Sequence, residues 1–259
     1  MADRQRNGTM AEREEMIGAP AEGAGVLAGK TVVVTGASRG IGLAVARMMV
    51  RAGAWVGMVA RGHDALLRAA DEAGGHAIPG DVGEPSGAHA VATYVSELLG
   101  DAPDVLVSSA GAFSLAPIAG TDPADFDRQV AVNLRGPFLL IRAFLPLMLR
   151  RGAGQLIHVG SVAGRVAFPE NGAYAASKFG LRGMHEVLLQ EIRGTGVRAT
   201  LVEPAATDTP LWDAIDLDRP GLPTREAMLR PDDVARVVLF AAAQPRHVQI
   251  PTIAVEAAG

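Results

Sequence analysis

The 259-residue sequence contains no cysteine, which excludes disulfides, thiolate catalysis and cysteine-ligated metal. It has no Lys/Arg-rich run and a formal net charge of -4, so it lacks the electrostatic footprint of a nucleic-acid binder. No apolar run approaches the ~20 residues of a membrane span. The opening residues, MADRQRNGTMAEREE, lack the apolar centre of a signal peptide. These absences lead to the expectation of a cytoplasmic protein with neither a nucleic-acid nor a membrane partner. The six histidines show no ligand spacing, so no metal is expected, and His158 and His185 read as structural. No internal repeat is present, and no linker divides the chain after residue 30.

The composition that remains, 49% hydrophobic and 20% charged, is that of an ordinary globular protein. The length suits one large α/β domain with a substantial core. Residues 1–27 are rich in Ala, Gly and charge with little periodicity, and read as a flexible, passive extension with room for one helical turn around Ala11–Ile17. The domain is expected over 28–259. Within it short apolar strands alternate with amphipathic helices. The strands are Thr31–Thr35, Ala54–Ala60, His76–Pro79, Val105–Ser108, Gln155–Val159, Val197–Val202 and Ile250–Val255. The helices are Ile41–Ala52, Asp64–Ala73, Ser86–Leu99, Asp125–Leu149, Tyr174–Arg193 and Asp232–Ala243. Continuous apolar strands separated by helices imply a parallel sheet covered on both faces. Right-handed crossovers make it a doubly wound, Rossmann-type sheet of about seven strands. Two segments break the rhythm. Asp122–Pro123 followed by Asp125 reads as a helix start. Residues 207–230 carry Pro210, Pro220 and Pro223, with Pro231 just beyond, and read as a lid.

The first strand breaks into Gly36, Gly40 and Gly42 and then into a helix. Strand, glycine turn, helix presents free N–H groups and a positive helix end to a phosphate, and the glycines allow a sharp bend and close ligand approach. In a doubly wound sheet the ligand lies beyond the carboxyl ends of the strands. An NAD site places an acid about 20 residues past the glycines, but here the second strand ends in Ala60 and Arg61, and Asp64 fits the next helix start. Arg61 and Arg39, with no carboxylate, favour a 2′-phosphate, because guanidinium and phosphate pair in a forked geometry. NADP(H) is thus expected over NAD(H). Asp81, after the third strand, offers an acceptor to the adenine amino group, and Ser109–Ala110–Gly111, after the fourth, is small enough for close approach.

On the chemical side, Tyr174 and Lys178 share one helical face by their i, i+4 spacing. A free Tyr, with a pKa near 10, is a poor base at neutral pH, and a neighbouring ammonium or helix N-terminus favours its phenolate. Ser161, after the fifth strand, can hydrogen-bond a substrate oxygen. Asn133 stands inside an apolar helical stretch and needs partners if buried.

In this order these motifs resemble the short-chain dehydrogenase/reductases, in their compact single-domain branch. The resemblance runs from about Leu27 to the C-terminus. It rests on Thr35-Gly36-Ala37-Ser38-Arg39-Gly40-Ile41-Gly42, Asp81-Val82, Ser109-Ala110-Gly111, Asn133, Ser161, Tyr174 with Lys178, and Pro204 with Thr209. It implies that Gly36, Ser38, Arg39, Gly40, Ile41, Gly42, Arg61, Asp81, Val82, Ser109, Ala110, Gly111, Tyr174, Lys178, Pro204, Thr207 and Thr209 hold the cofactor. By the same resemblance Tyr174 exchanges a proton with the substrate oxygen, Lys178 lowers the Tyr174 pKa and binds the nicotinamide ribose, and Ser161 orients the substrate. Asn133 supports a water leading to Lys178. Hydride passes between cofactor and substrate carbon, interconverting a ketone and a secondary alcohol.

Departures from the pattern are Ser108-Ser109 where the family has two Asn, Pro204-Ala205 where it has Pro-Gly, and a C-terminus without the acidic-glycine ending of fatty-acid-type reductases. The first of these is expected to loosen the central strand or the adenosine pocket. By loop position Phe113, Leu115, Phe168, Leu211 and Trp212, with Ser161 and Tyr174, form an apolar substrate pocket for a small hydrophobic ketone or secondary alcohol, of aromatic or steroid-like kind. Surplus apolar residues on Asp125–Leu149, with Tyr174–Arg193, suggest a homodimer or homotetramer. The rival readings are a 3-oxoacyl-carrier-protein or hydroxysteroid reductase, a dehydratase or epimerase of the family's extended branch, and a non-catalytic NADP-sensing regulator. The regulator would typically lack the Tyr–Lys pair.

Overall fold

The computed structural model describes residues 25–258; the helical turn expected at 11–17 lies outside them. Seven strands, β1 (Thr31–Thr35), β2 (Trp55–Ala60), β3 (His76–Pro79), β4 (Val105–Ser108), β5 (Gly154–Val159), β6 (Val197–Pro204) and β7 (Thr252–Val255), form one sheet. Its order is β3-β2-β1-β4-β5-β6-β7, and every pairing is parallel. The helices are α1 (Gly40–Arg51), α2 (His63–Ala73), α3 (Pro85–Leu99), α4 (Pro123–Val130), α5 (Gly136–Arg151), α6 (Gly172–Glu191) and α7 (Pro231–Ala242).

Because side chains alternate across a strand, β1 feeds two cores. Val32 and Val34 join Val45, Met49, Leu66, Val234 and Val238 on the face covered by α1, α2 and α7. Val33 joins Val95, Leu140, Phe144, Met148 and Leu188 on the face covered by α3, α5 and α6. Burial on both faces is why these strands read as unbroken apolar runs. Strand order reverses between β1 and β4, which opens a crevice at their carboxyl ends.

The single helix expected over Asp125–Leu149 is observed as α4, a π-helical turn over Ala131–Arg135, and α5. Its start follows the expectation: the Asp122 carboxylate accepts from Ala124 N at 2.9 Å, with Pro123 in the first turn. Pro137 has no N–H to return to the Asn133 carbonyl in α register, so the ladder slips into a π turn there. A Cβ at Gly136 would lie 2.9 Å from the Val82 carbonyl oxygen, so this turn sits directly against the β3–α3 connection. Taken together, Pro123–Arg151 is long and apolar enough to cross a membrane by length and composition, contrary to the sequence expectation. Here its Leu140, Ile141, Phe144 and Met148 are buried in the domain core.

Leu27 packs against the body of the fold: it is 2% exposed, and its N–H donates to the Ala52 carbonyl at 2.9 Å. Segment 207–230 contains two 3₁₀ turns, Pro210–Trp212 and Arg225–Ala227. Arg225 ties it together through Asp208 at 2.5 Å and Asp213 at 2.8 Å, and Arg219 pairs with Glu170 outside the segment.

Candidate active site

The crevice at the carboxyl end of β1 is a cleft of about 320 Å³. Gly36, Ser38, Arg39, Gly40, Ile41, Gly42, Arg61, Asp81, Val82, Ser109, Ala110, Gly111 and Thr209 all line it. Gly36 and Gly40 have left-handed φ of 69° and 56°, where a side chain is strained. A Cβ on Gly36 would stand 2.7 Å from Ala110 Cα, and one on Gly42 would stand 2.3 Å from the Gly36 carbonyl oxygen. Helix α1 starts at this turn with no side-chain cap, which leaves its first N–H groups to a ligand. The Ser109 hydroxyl is buried without a protein partner and belongs to a cleft-lining residue. Uncapped helix, close-packed glycines and an orphaned hydroxyl suit a dinucleotide.

Arg61 stands 3.8 Å from the Asp81 carboxylate, with 64% of its side chain exposed. The other Asp81 oxygen accepts from Gly83 N at 2.9 Å, which shapes the loop after β3. Asp64 sits in the first turn of α2, the place expected for it. Thr209, Pro210 and Leu211 of segment 207–230 run along the cleft, and the Thr209 side chain comes within 3.3 Å of where a Cβ on Gly40 would be. Pro204 ends β6. Thr207 is buried and donates to the Ala205 carbonyl at 3.0 Å, and it does not line the cleft.

The replacement of two Asn by Ser108-Ser109 does not unfasten the loop after β4. Thr35 Oγ1 accepts from both Ser109 N and Ala110 N at 3.1 Å. Asn133, 1% exposed, accepts from Ala112 N at 2.8 Å and donates to Ala112 O and Ser177 Oγ at 2.9 Å. Both amide protons of Asn133 are thus engaged within the protein. Its side chain clamps the β4 loop to helix α6. The Thr35 clamp was not singled out by sequence reasoning; a Thr ending a buried strand next to the glycine turn was its only signal.

Ser161, 9% exposed, follows β5 and opens a 3₁₀ turn by accepting from Ala163 N at 3.1 Å. Its hydroxyl lies near enough to the Tyr174 phenol to favour the ionised form. Lys178 Nζ donates to the Val159 carbonyl at 2.9 Å and lies 5.5 Å from the Tyr174 ring centre. A Cβ on Gly164 would stand 2.9 Å from the Lys178 carbonyl oxygen, so the turn bearing Ser161 packs directly on the helix bearing Tyr174 and Lys178. Ser161, Tyr174 and Lys178 converge here from β5 and α6.

The electrostatics differ from the expected pattern. Burial pushes the Tyr174 phenol up to about 12, against a smaller lowering by the Ser161 hydroxyl. Burial also brings the Lys178 ammonium down to about 8. The Tyr174 phenol thus lies above its ordinary value, because desolvation outweighs the lowering by Ser161.

Beside Tyr174 lies an aromatic wall. Phe113 meets Tyr174 and Trp212 edge-on, each at 4.9 Å between ring centres. A Cβ on Gly111 would stand 3.8 Å from Leu211 Cδ1, so Leu211 extends that wall over the cleft floor. Leu115 is partly buried. Phe168 is 45% exposed and stands outside the ring cluster.

The family model described as short chain dehydrogenase matches residues 30–220. A glycine betaine reductase of Emericella nidulans is 36% identical over 241 residues, covering 90% of this chain but only 19% of that protein. An alcohol dehydrogenase from the archaeon Thermococcus sibiricus, complexed with 5-hydroxy-NADP, superposes with a TM-score of 0.80 at 28% identity, covering 88% of this chain and 97% of the other. A metagenomic short-chain oxidoreductase in complex with NADP gives 0.75 at 34% identity, covering 89% and 98%. With the glycine turn, the parallel sheet and a match across most of its length, this chain belongs to the short-chain dehydrogenase/reductase family and is an oxidoreductase.

Proposed function

We propose that the chain is an NADP(H)-dependent reductase of small hydrophobic ketones, or the reverse dehydrogenase of secondary alcohols, with Tyr174 as general acid and base. The observation that carries this reading is the convergence of Ser161, Tyr174 and Lys178, which do not themselves line the cleft but meet it through Phe113, Trp212 and Leu211. The cofactor, when bound, supplies or takes up hydride. The Ser161 hydroxyl orients the substrate oxygen. The Tyr174 phenol delivers a proton to that oxygen as it becomes an alkoxide, a contribution of about 10²–10⁴-fold. A phenol held protonated at neutral pH is in the right state to act as the acid in reduction. Lys178, fixed by the Val159 carbonyl, keeps a positive charge near the ring below its own pKa of about 8.

The preference for NADP(H) rests on Arg39 and Arg61 lining the cleft with no carboxylate at the end of β2, and the neighbours solved with NADP or its analogue agree with it. The wall of Phe113, Tyr174, Trp212 and Leu211 favours an apolar substrate. Phe126 (42% exposed), Phe138 (49%), Phe179 (46%) and Val187 (58%) on α4, α5 and α6 favour burial against a second subunit.

The test is a spectrophotometric scan of ketones with NADPH and NADH. Tyr174→Phe should abolish turnover, and retained turnover refutes the mechanism. Arg39→Ala with Arg61→Ala should weaken NADPH far more than NADH; equal losses refute the 2′-phosphate assignment.

A further inference from the structure

The sequence breaks the apolar run of β6 with a carboxylate. Glu203 is 2% exposed, stands next to Pro204, and is paired across the ladder with Ala254 of β7. A buried carboxylate requires compensation, and two arginines supply it. Both Glu203 oxygens accept from Arg182 Nη1, at 2.9 and 3.0 Å, and Arg165 Nε stands 3.7 Å from Oε2. Arg182 also donates to Glu186 at 3.1 Å, and Arg165 to Glu256 at 2.5 Å.

The positions of these arginines are the informative point. Arg182 lies one helical turn past Lys178 on α6, and Arg165 lies four residues past Ser161. Glu203 is therefore bridged to both segments that carry the proposed chemistry. It also packs beneath the Ser161 turn: a Cβ on Gly160 would stand 3.5 Å from Glu203 Cγ, and Gly160 N donates to Val202 O at 2.7 Å. The Ser161 turn is thus held between β6 below and the Lys178 backbone beside it.

We propose that Glu203 is a positioning residue for catalysis, its buried carboxylate joining Arg165 and Arg182 so that Ser161 and the Tyr174–Lys178 pair keep one fixed spacing. This rests on the reading of Ser161, Tyr174 and Lys178 as the reacting groups. Glu203 touches none of the reacting atoms; it acts through the two elements it joins. Removing its charge leaves Arg165 and Arg182 paired only with Glu256 and Glu186, with no carboxylate joining them to each other. The Ser161 turn then separates from α6, and water reaches the Lys178 ammonium.

The sequence has only two lysines, Lys30 and Lys178, so pH-dependent acylation read by peptide mass spectrometry reports Lys178 directly, with no substrate. In Glu203→Gln the Lys178 midpoint should rise from about 8 toward its ordinary 10.5 by one unit or more. Glu203→Asp, which keeps the charge, should return most of that shift. With NADPH and benzil as probe, Glu203→Gln should lose at least about tenfold in kcat while KM for NADPH changes less than about twofold, the signature of a lost transition-state alignment. An unchanged Lys178 midpoint together with unchanged kcat overturns the proposal. Tyr174→Phe in the same assay separates the failures. If it retains turnover, or if the wild-type protein reduces no carbonyl, the underlying reading is wrong; if it is dead while Glu203→Gln is normal, only the role of Glu203 is wrong. Should Glu203→Gln not fold, Arg165→Ala reads the same link from a side chain one-third exposed, and should shift the Lys178 midpoint in the same direction.

Discussion

Titrating the cofactor-free protein upward should leave Tyr174 protonated well past the point where an ordinary phenol ionises. Burial raises it from 10.0 to about 12, equivalent to about 2.7 kcal/mol against the phenolate. An ammonium 5.5 Å from the ring centre would supply about 3 kcal/mol to that phenolate at an effective dielectric of ~20, if it were still an ammonium. Lys178 titrates at about 8, so by the pH at which Tyr174 could ionise its charge is gone. The chain has two tyrosines, and Tyr94→Phe leaves Tyr174 as the sole source of phenolate absorbance. At pH 10 about 1% of Tyr174 should be ionised, against about 50% for a free phenol. The raised pKa means the native state holds a proton that the unfolded chain releases, so stability falls by about 1.4 kcal/mol per pH unit between 10 and 12. Circular dichroism followed in parallel separates ionisation in the fold from ionisation on unfolding. A midpoint at or below 10 with the fold intact refutes the claim that desolvation sets the Tyr174 pKa.

His158, fully buried with neither ring nitrogen partnered, is lowered to about 3 by burial and then by the His185 and Lys178 charges. Between pH 6.5 and about 3 the unfolded chain takes up a proton that the native state refuses, so this residue's share of stability should fall by about 1.4 kcal/mol per unit of acidification. Urea unfolding at pH 7.5 and 5.0 should show the wild type losing about 2 kcal/mol more than His158→Leu; equal losses refute it. At neutral pH the same variant should be neutral or stabilising, because two unsatisfied nitrogens are removed. Leu27→Ala should cost about 2–3 kcal/mol in thermal unfolding although it lies at the start of the described chain; no change would place the domain boundary after it.

Legibility in the sequence followed how local the cause was. Strands buried on both faces announce themselves, and β1 and β4 match their apolar runs residue for residue; the edge strand β3, with only Ile78 fully buried, also falls where expected. The expected helix starts shift by two residues at most, and at α3, α4 and α7 a proline in the first turn marks the start. Where a distant partner decides, the reading stops short. The expected strand stops at Val202, yet β6 continues through Glu203 to Pro204; the arginines that make a carboxylate tolerable there come from α6 and the Ser161 turn. The π turn was hidden for the opposite reason. Pro137 lies in so apolar a stretch that its missing N–H did not register against the helical pattern.

At the site, the residue types were readable and their couplings were not. The Ser108-Ser109 replacement was expected to loosen the strand end, on the premise that side chains at those positions hold it. In the structure the holding is done from the other side: Thr35 and Asn133 grip the backbone of Ser109, Ala110 and Ala112. A clamp on backbone atoms is indifferent to the side chains of the clamped residues, so the loop keeps its course while those side chains vary. The consequence is chemical rather than structural. Both serine hydroxyls remain buried and unpartnered, and Ser109 belongs to the cleft wall. A hydroxyl can donate and accept, so the free protein pays a desolvation penalty there that a ligand with a polar edge removes on binding.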